Sequence, residues 1–423
     1  MHGGTRENRG VLPAHPSSVP AARRLIRQWL AESGQDELSR DAELAVSELV
    51  TNALMHAGTP VEMSARLDLG FIRVEVADGS VHLPRTRDYL PTSGTGRGLK
   101  LLERTVDRWG AHRHGDGKVV WFELSAGVDI PSVRVVEPDD APPPDAISVE
   151  LLNLPLLLHA AWQHHAETLL RELLLVRLDS SDAEEALEAH AAACNALNLL
   201  VEQVPSPELA HDPDLVMAGA VGPLMTAERL VLEVPEDSVP HFDVLDDALT
   251  DAVALAEQGL LLTPPTQPEV RGMRRWLCAE VRRQAAGERP TRWTSVVEPL
   301  ATAGAPLDWD ASEVDGATTA LVAADDTNRI VAVSDSALDL LGYGNRSELV
   351  GQRLVSLIPD RFHQAHLAGF TLHLTTGRST LIGVPVTVPV LLRGGSEQLM
   401  QLTVTARHLP GGRRVFVAEM LRT

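Results

Sequence analysis

Cysteine is almost missing from this 423-residue chain, apolar runs of membrane length are missing altogether, and the middle of the sequence is short of positive charge. The two cysteines, Cys194 and Cys278, have surroundings that suggest neither a metal site nor a redox pair. No apolar run approaches the ~18 residues that cross a bilayer. The opening, MHGGTRENRGVLPAHP, has no apolar stretch that could act as a signal peptide. A soluble cytoplasmic protein with no membrane partner is therefore expected. Residues 128–310 hold 11 Lys+Arg against 32 Asp+Glu. That difference, −21, is the whole formal net charge, because residues 1–127 balance at 16 and 16 and residues 311–423 at 10 and 10. An acidic segment repels phosphate backbones, so direct nucleic-acid binding is not expected there. A solvated helical surface accounts for it, and a basic protein partner is the second explanation.

What is present divides into three regions. Residues 1–127 predict a compact α/β unit, with helices over 19–30 and 38–56, strands over 61–69 and 71–77, a helix over 98–109 and a strand over 119–124. Residues 128–146 contain PDDAPPPDA and are expected to be a linker. Residues 147–300 are rich in Leu, Ala and Glu at helical spacing, which predicts an all-helical region with helices over 156–178, 182–203, 243–258 and 268–286. Residues 301–317 are expected to be a second linker. Residues 318–423 predict two strands, short helices, a helix over 362–375 and three closing strands, with RGGS and LPGGR as hairpin turns.

The chemistry concentrates in the first region. Glu48, Asn52 and His56 in SELVTNALMHA stand at i, i+4, i+8 and share one helix face. A carboxamide oxygen is a good ligand for a hard cation, and Mg²⁺ takes few protein ligands beside phosphates. A carboxylate one turn away can take the proton of an attacking hydroxyl. In VEVADG, Asp78 closes a strand and is followed by Gly79, where a carboxylate can accept a bond from the exocyclic amine of adenine. In GTGRGL, Gly94, Gly96 and Gly98 surround Arg97 just before a helix. Glycines allow close approach of backbone to phosphate, and a helix start supplies N–H groups and a positive dipole end. Alone, each element is weak evidence; in this order they point to a nucleotide site.

ELVTNALMHA resembles the N box of the GHKL superfamily, VEVADG its first glycine box and GTGRGLKLLERTVDRWG its second. The closing GKVVWFEL resembles the last strand of the compact branch that contains anti-sigma factor serine kinases. The resemblance implies an α/β sandwich that binds ATP and Mg²⁺. In it Glu48 is the catalytic base, Asn52 the Mg²⁺ ligand and Asp78, with Gly79, the reader of adenine. Gly94, Gly96, Arg97 and Gly98 form the phosphate-binding lid. A second downstream glycine of the first box is replaced by Ser80-Val81. A sensor histidine kinase is not expected, since too few residues precede Val19 for a dimerising hairpin. His159, His164 and His165 are expected on a helix surface, with Glu167 or Glu172 as possible ion-pair partners for the last two.

DDTNRIVAVSDSALDLLGYGNRSELVGQRLVSLIPD, residues 325–360, resembles a PAS domain, with Ser334-Asp335 where an Asn is common. Thr380 stands where the oxygen-sensing haem branch places a ligating His, and no Cys occurs in residues 318–423, so haem and flavin are both disfavoured. His363 and His366 are expected to be surface or capping residues. Together the resemblances imply an ATP-binding regulator that phosphorylates a small antagonist (anti-anti-sigma) protein on Ser or Thr, or sequesters a sigma factor, as a homodimer tuned by the PAS domain. The alternative is a non-catalytic scaffold in which ATP acts only as a conformational ligand.

Overall fold

The computed structural model of the chain describes residues 6–68, 71–80, 83, 97–115, 117–126, 133–136, 145–178, 183–207, 226–294, 309–377 and 382–423. The first domain opens with β1 (Arg6–Leu12), α1 (Ser18–Ser33), α2 (Ser39–Ala57), β2 (Val61–Asp68) and β3 (Phe71–Asp78). It continues with α3 (Arg97–Thr105), β4 (Arg108–His114), β5 (Gly117–Ser125) and β6 (Val133–Val136). The strands form one sheet of order β1-β2-β3-β5-β4-β6, antiparallel except for the parallel β4–β6 pair. Period-two alternation buries Ile72, Val74, Val76 and Asp78 of β3. The three apolar members of that row join Ile26 and Leu30 of α1, Val46, Val50 and Ala53 of α2, and Phe122 of β5 in one core. This α/β layer is the fold expected of the first region.

Three of its strands had no sequence signal. β1 is RENRGVL, too charged to alternate, and exists by pairing in register with β2. β4 begins where a longer α3 was expected, and Trp109 lies in it, fully buried. The helix stops because the Asp107 N–H donates to Glu123 O (3.0 Å) and the Asp107 carboxylate accepts from Ser125 N–H (2.6 Å), pulling the chain onto β5. β6 is a four-residue VRVV inside the Pro- and Asp-rich segment.

The middle of the chain is helical, with α4 (Leu156–Arg177), α5 (Ala183–Gln203), α6 (Val239–Glu257) and α7 (Pro268–Ala285). It is not helical throughout. β7 (Ala146–Pro155) and β8 (Thr226–Pro235) form a two-stranded sheet that the Leu/Glu-rich composition did not signal. Strand formation is decided by pairing as much as by intrinsic preference.

The last domain holds α8 (Ser312–Asp315), β9 (Leu321–Asp325), β10 (Ile330–Val333), α9 (Asp335–Leu341), α10 (His363–Thr376), β11 (Val386–Leu391), β12 (Glu397–His408) and β13 (Arg414–Arg422). Its five strands form an antiparallel sheet of order β10-β9-β13-β12-β11. Ser334 caps α9: its hydroxyl accepts from Ala337 N–H (3.2 Å) and Leu321 N–H (2.8 Å) and donates to Thr319 O (2.9 Å). That explains how Ser serves at this position.

The chain separates into two compact units. The first gathers Met1–Ile147, Leu174–Glu202 and Glu233–Ala248; the second gathers Ser148–Leu173, Gln203–Leu232 and Leu249–Thr423. Among the described residues no helix is long and apolar enough to cross a membrane.

Candidate nucleotide-binding site

α2 carries the first half of the site. Ala42, Ala45, Val46, Leu49, Val50 and Ala53 fill its buried face, which fixes the rotation of the helix about its axis. Glu48 and Asn52 then stand one turn apart at the margin of that face, both half-buried. Burial pushes the Glu48 carboxyl above its ordinary value, and it is the sole influence on that group among the described residues. Desolvation makes such a carboxylate a stronger base than an exposed one. His56 is exposed at the end of the same helix.

α2 ends at Gly58, which adopts φ 61°, a left-handed cap that favours glycine. The turn delivers Thr59 to the end of β3, where its hydroxyl oxygen accepts from the Gly79 N–H at 2.9 Å. This bond ties the helix that bears Glu48 and Asn52 to Asp78 and Gly79. α2 also packs against β3 and α3. Arg97 and Gly98 are the first two residues of α3, so the backbone there presents a helix start. Gly94 and Gly96 lie outside the described residues. Glu48, Asn52, Asp78, Gly79, Arg97 and Gly98 thus stand on elements that pack on one another.

Asp78 is buried, with its Oδ1 accepting from Lys118 Nζ (2.9 Å) and from Ser80 N–H (2.8 Å). Burial raises the Asp78 carboxyl, and Lys118 opposes that rise. Burial likewise lowers the Lys118 ammonium.

Residues 12–124 match the family model of the histidine kinase-like ATPase domain, and residues 311–422 match that of the PAS fold. The chain joins a histidine kinase-like ATPase domain to a PAS domain. An uncharacterized Streptomyces coelicolor protein is 32% identical over 97 residues, a match covering 21% of this chain and 90% of that protein. Among solved structures, the PAS domain of an HTR-like protein from Haloarcula marismortui is 17% identical, covering 26% of this chain and 87% of that one with a TM-score of 0.20. The PAS domain of nitrogen regulation protein NR(II) from Vibrio parahaemolyticus is 19% identical, covering 27% of this chain and 96% of that one, also with a TM-score of 0.20.

Two features of the ATPase-like domain were not signalled as functional. The first is Lys118, which lies opposite Asp78 because β3 and β5 pair in that register. The second is α5. Met55, seven residues after Glu48 on the same face of α2, packs with Leu174, Ala186 and Leu187. A Cβ at Gly58 would lie 2.8 Å from the Ala191 Cβ, and the Ser80 hydroxyl donates to Asn195 Oδ1 at 3.5 Å. A helix from the middle of the chain therefore walls the end of α2 beside Asp78. Only a tertiary contact could reveal it.

Elsewhere the histidines correct the sequence expectation. His159 and His165 are interior rather than on a helix surface, held neutral by burial at about 3 and about 4. His165 Nε2 pairs with Pro264 O (2.9 Å). Glu172 pairs with neither His164 nor His165 in any described bond; it accepts from Leu262 N–H, Thr263 N–H and the Thr263 hydroxyl. In the PAS domain, His366 pairs with Asn328 Oδ1 (3.2 Å) and burial holds it neutral at about 4, while His363 pairs with Ile358 O (2.6 Å). Thr380 lies outside the described residues. No group of three or more His, Cys, Asp or Glu among the described residues could hold a metal ion.

Proposed function

We propose that the ATPase-like domain is a Mg-ATP-dependent protein serine/threonine kinase of the anti-sigma type. It would phosphorylate an antagonist (anti-anti-sigma) protein and sequester a sigma factor in the cytoplasm, as a homodimer whose switch is tuned by the PAS domain. The observation that carries this reading is the pair Glu48 and Asn52, one turn apart on α2, with Glu48 raised by burial and accompanied by no described cation. A carboxylate so placed accepts the proton of a Ser or Thr hydroxyl as it attacks phosphorus. The donor set fits a magnesium nucleotide: the Asn52 amide oxygen suits a hard cation, and the start of α3 suits phosphate. Magnesium, bound with the nucleotide, supplies neutralisation of phosphate charge. Asp78 accepts from the base, and Thr59 holds Gly79 so that the loop behind Asp78 keeps its place.

Incubation with labelled ATP and candidate antagonist proteins tests the reading. Glu48→Gln should abolish phosphoryl transfer and leave ATP binding intact, and Asn52→Ala should weaken magnesium-dependent binding. A regulatory phenotype unchanged by Glu48→Gln would select the scaffold role, in which ATP acts only as a conformational ligand.

A further inference from the structure

The chain enters the first compact unit at Leu174 and leaves it after Glu202, so both ends of the segment that holds α5 lead into the second unit. α5 rests on the turn that ends α2. A Cβ added at Gly58 would lie 2.8 Å from the Ala191 Cβ, 3.0 Å from the Glu188 Cα and 3.0 Å from the Leu187 carbonyl oxygen, so the backbone of α5 itself touches that turn. Glycine is needed there twice over, by this approach and by its φ of 61°. Ala186 and Leu187 pack with Met55 of α2, and two turns after Leu187 the Asn195 Oδ1 accepts from the Ser80 hydroxyl at 3.5 Å. These contacts fall on the segments that fix the nucleotide loop. Thr59, beside Gly58, accepts from the Gly79 N–H (2.9 Å), and the Ser80 N–H donates to Asp78 Oδ1 (2.8 Å).

We propose that α5 is a built-in regulator of the nucleotide site: docked on the end of α2 it holds the Gly58–Thr59 turn and the Asp78–Ser80 loop in their binding arrangement, and undocked it releases them. The proposal rests on the nucleotide site described under the function above and names how that site is controlled. The contact is built to come apart without unfolding the domain. The core that joins α1, α2, β3 and β5 contains no residue of α5, so it stays closed when the helix leaves. What holds α5 on α2 is small: Ala186, Leu187 and Ala191 against Met55 and Gly58, and one bond at the long end of hydrogen-bond range. A nucleotide that binds the held loop better than the released one therefore favours the docked helix by the same factor, because linkage between binding sites is reciprocal. The two chain connections of α5 place it to carry a change in the second unit to the nucleotide.

The test is calorimetry with Mg-ATP and amide hydrogen exchange on the full chain, in the wild type and two α5 variants. Ala191→Leu keeps a good helix former but leaves it no room against Gly58, and Asn195→Ala removes only the bond to Ser80. Both should lower ATP affinity in a folded protein, Ala191→Leu by at least about fivefold, the low end of ordinary coupling between sites, and Asn195→Ala by about threefold. In the reverse direction, saturating Mg-ATP should slow exchange in peptides of α5 by at least about fivefold in the wild type and leave it unchanged in Ala191→Leu. A helix with a merely structural role would move the melting temperature and neither of these readings. If Ala191→Leu fails to fold, Asn195→Ala and the wild-type exchange decide. ATP affinity unchanged in the variants, or α5 exchange indifferent to nucleotide, overturns the proposal and leaves the ATP site standing. Failure of the wild type to bind ATP removes the nucleotide site itself, and the proposal with it.

Discussion

Replacing Glu269 by Gln should unfold the second compact unit at a markedly lower temperature. Glu269, in the first turn of α7, makes a two-pronged ion pair with Arg353, through Nε (2.8 Å) and Nη2 (2.5 Å), and the two side chains are 4% and 5% exposed. Arg353 also donates to Thr327 O. Around them Gln267 accepts from Asn328 Nδ2 (2.6 Å) and donates to the Thr371 hydroxyl (2.7 Å). The substitution keeps the shape and removes the negative charge, leaving a guanidinium stranded out of water at a cost of about 3–5 kcal/mol. For a cooperative unit of this size, each kcal/mol moves the midpoint by about 2–4 °C, so a fall on the order of 10 °C is expected in calorimetric unfolding of the full chain. The paired change Glu269→Met with Arg353→Met should recover most of the loss, because it removes the desolvation cost of both partners. A shift below about 1 °C for Glu269→Gln would refute this account of the pair.

Acid should weaken the same unit through His159 and His165. Their folded values of about 3 and about 4 lie below an unfolded value near 6.5, so the unfolded chain binds protons first as pH falls. The stability they contribute is complete well above pH 6.5 and declines below it toward a slope of about 1.4 kcal/mol per pH unit for each histidine, giving about 3 kcal/mol between pH 6.5 and 5. Urea midpoints at those two pH values measure it, and His165→Gln should remove about half of the decline. Gly58→Ala forces a Cβ onto a left-handed residue and within 2.8 Å of Ala191, so a loss of about 1–3 kcal/mol in the first unit is expected in a thermal melt. Gly117→Ala, whose Cβ would lie 2.0 Å from the Asp78 carbonyl oxygen, forces apart the paired ends of β3 and β5 and should lower the melting temperature of the first unit more than Gly58→Ala does.

α2, β2 and β3 were legible because a single face of each is apolar and the period names the element, and β5 because VVWF is a short unbroken apolar run, buried on both faces. Glu48, Asn52 and Asp78 were legible for the complementary reason: they are polar residues placed where such a pattern leaves a margin or reaches a strand end. β1, β4 and β6 were not, since a charged heptapeptide, a histidine-rich segment and four residues in a proline-rich stretch become strands only when a neighbour offers its backbone. α4 shows the opposite failure. Its buried stripe is wide enough to take in His159 and His165, so polarity read as surface was in fact interior, with desolvation keeping both rings neutral. Lys118 and α5 belong to a third class, visible only in register and packing: nothing in GKVVWFEL states that its lysine meets an aspartate forty residues earlier.

The two carboxylates of the candidate site show how one physical cause is turned to two uses. Burial raises both Glu48 and Asp78. At Glu48 nothing described opposes it, and the group is left ready to change its protonation state, as a base must. At Asp78 the ammonium of Lys118 and the Ser80 N–H pull the other way without cancelling the rise, and both donate to its Oδ1. Both carboxyls are raised, but only Asp78 has a buried counter-charge beside it. Exchanging the surroundings should exchange the consequences. Lys118→Met leaves Asp78 desolvated without a counter-charge, so its proton affinity rises and base recognition becomes pH-dependent, whereas Glu48→Gln leaves the pH profile of nucleotide binding unchanged. Binding profiles from pH 5 to 9 that move with Glu48 rather than with Lys118 would reverse that assignment.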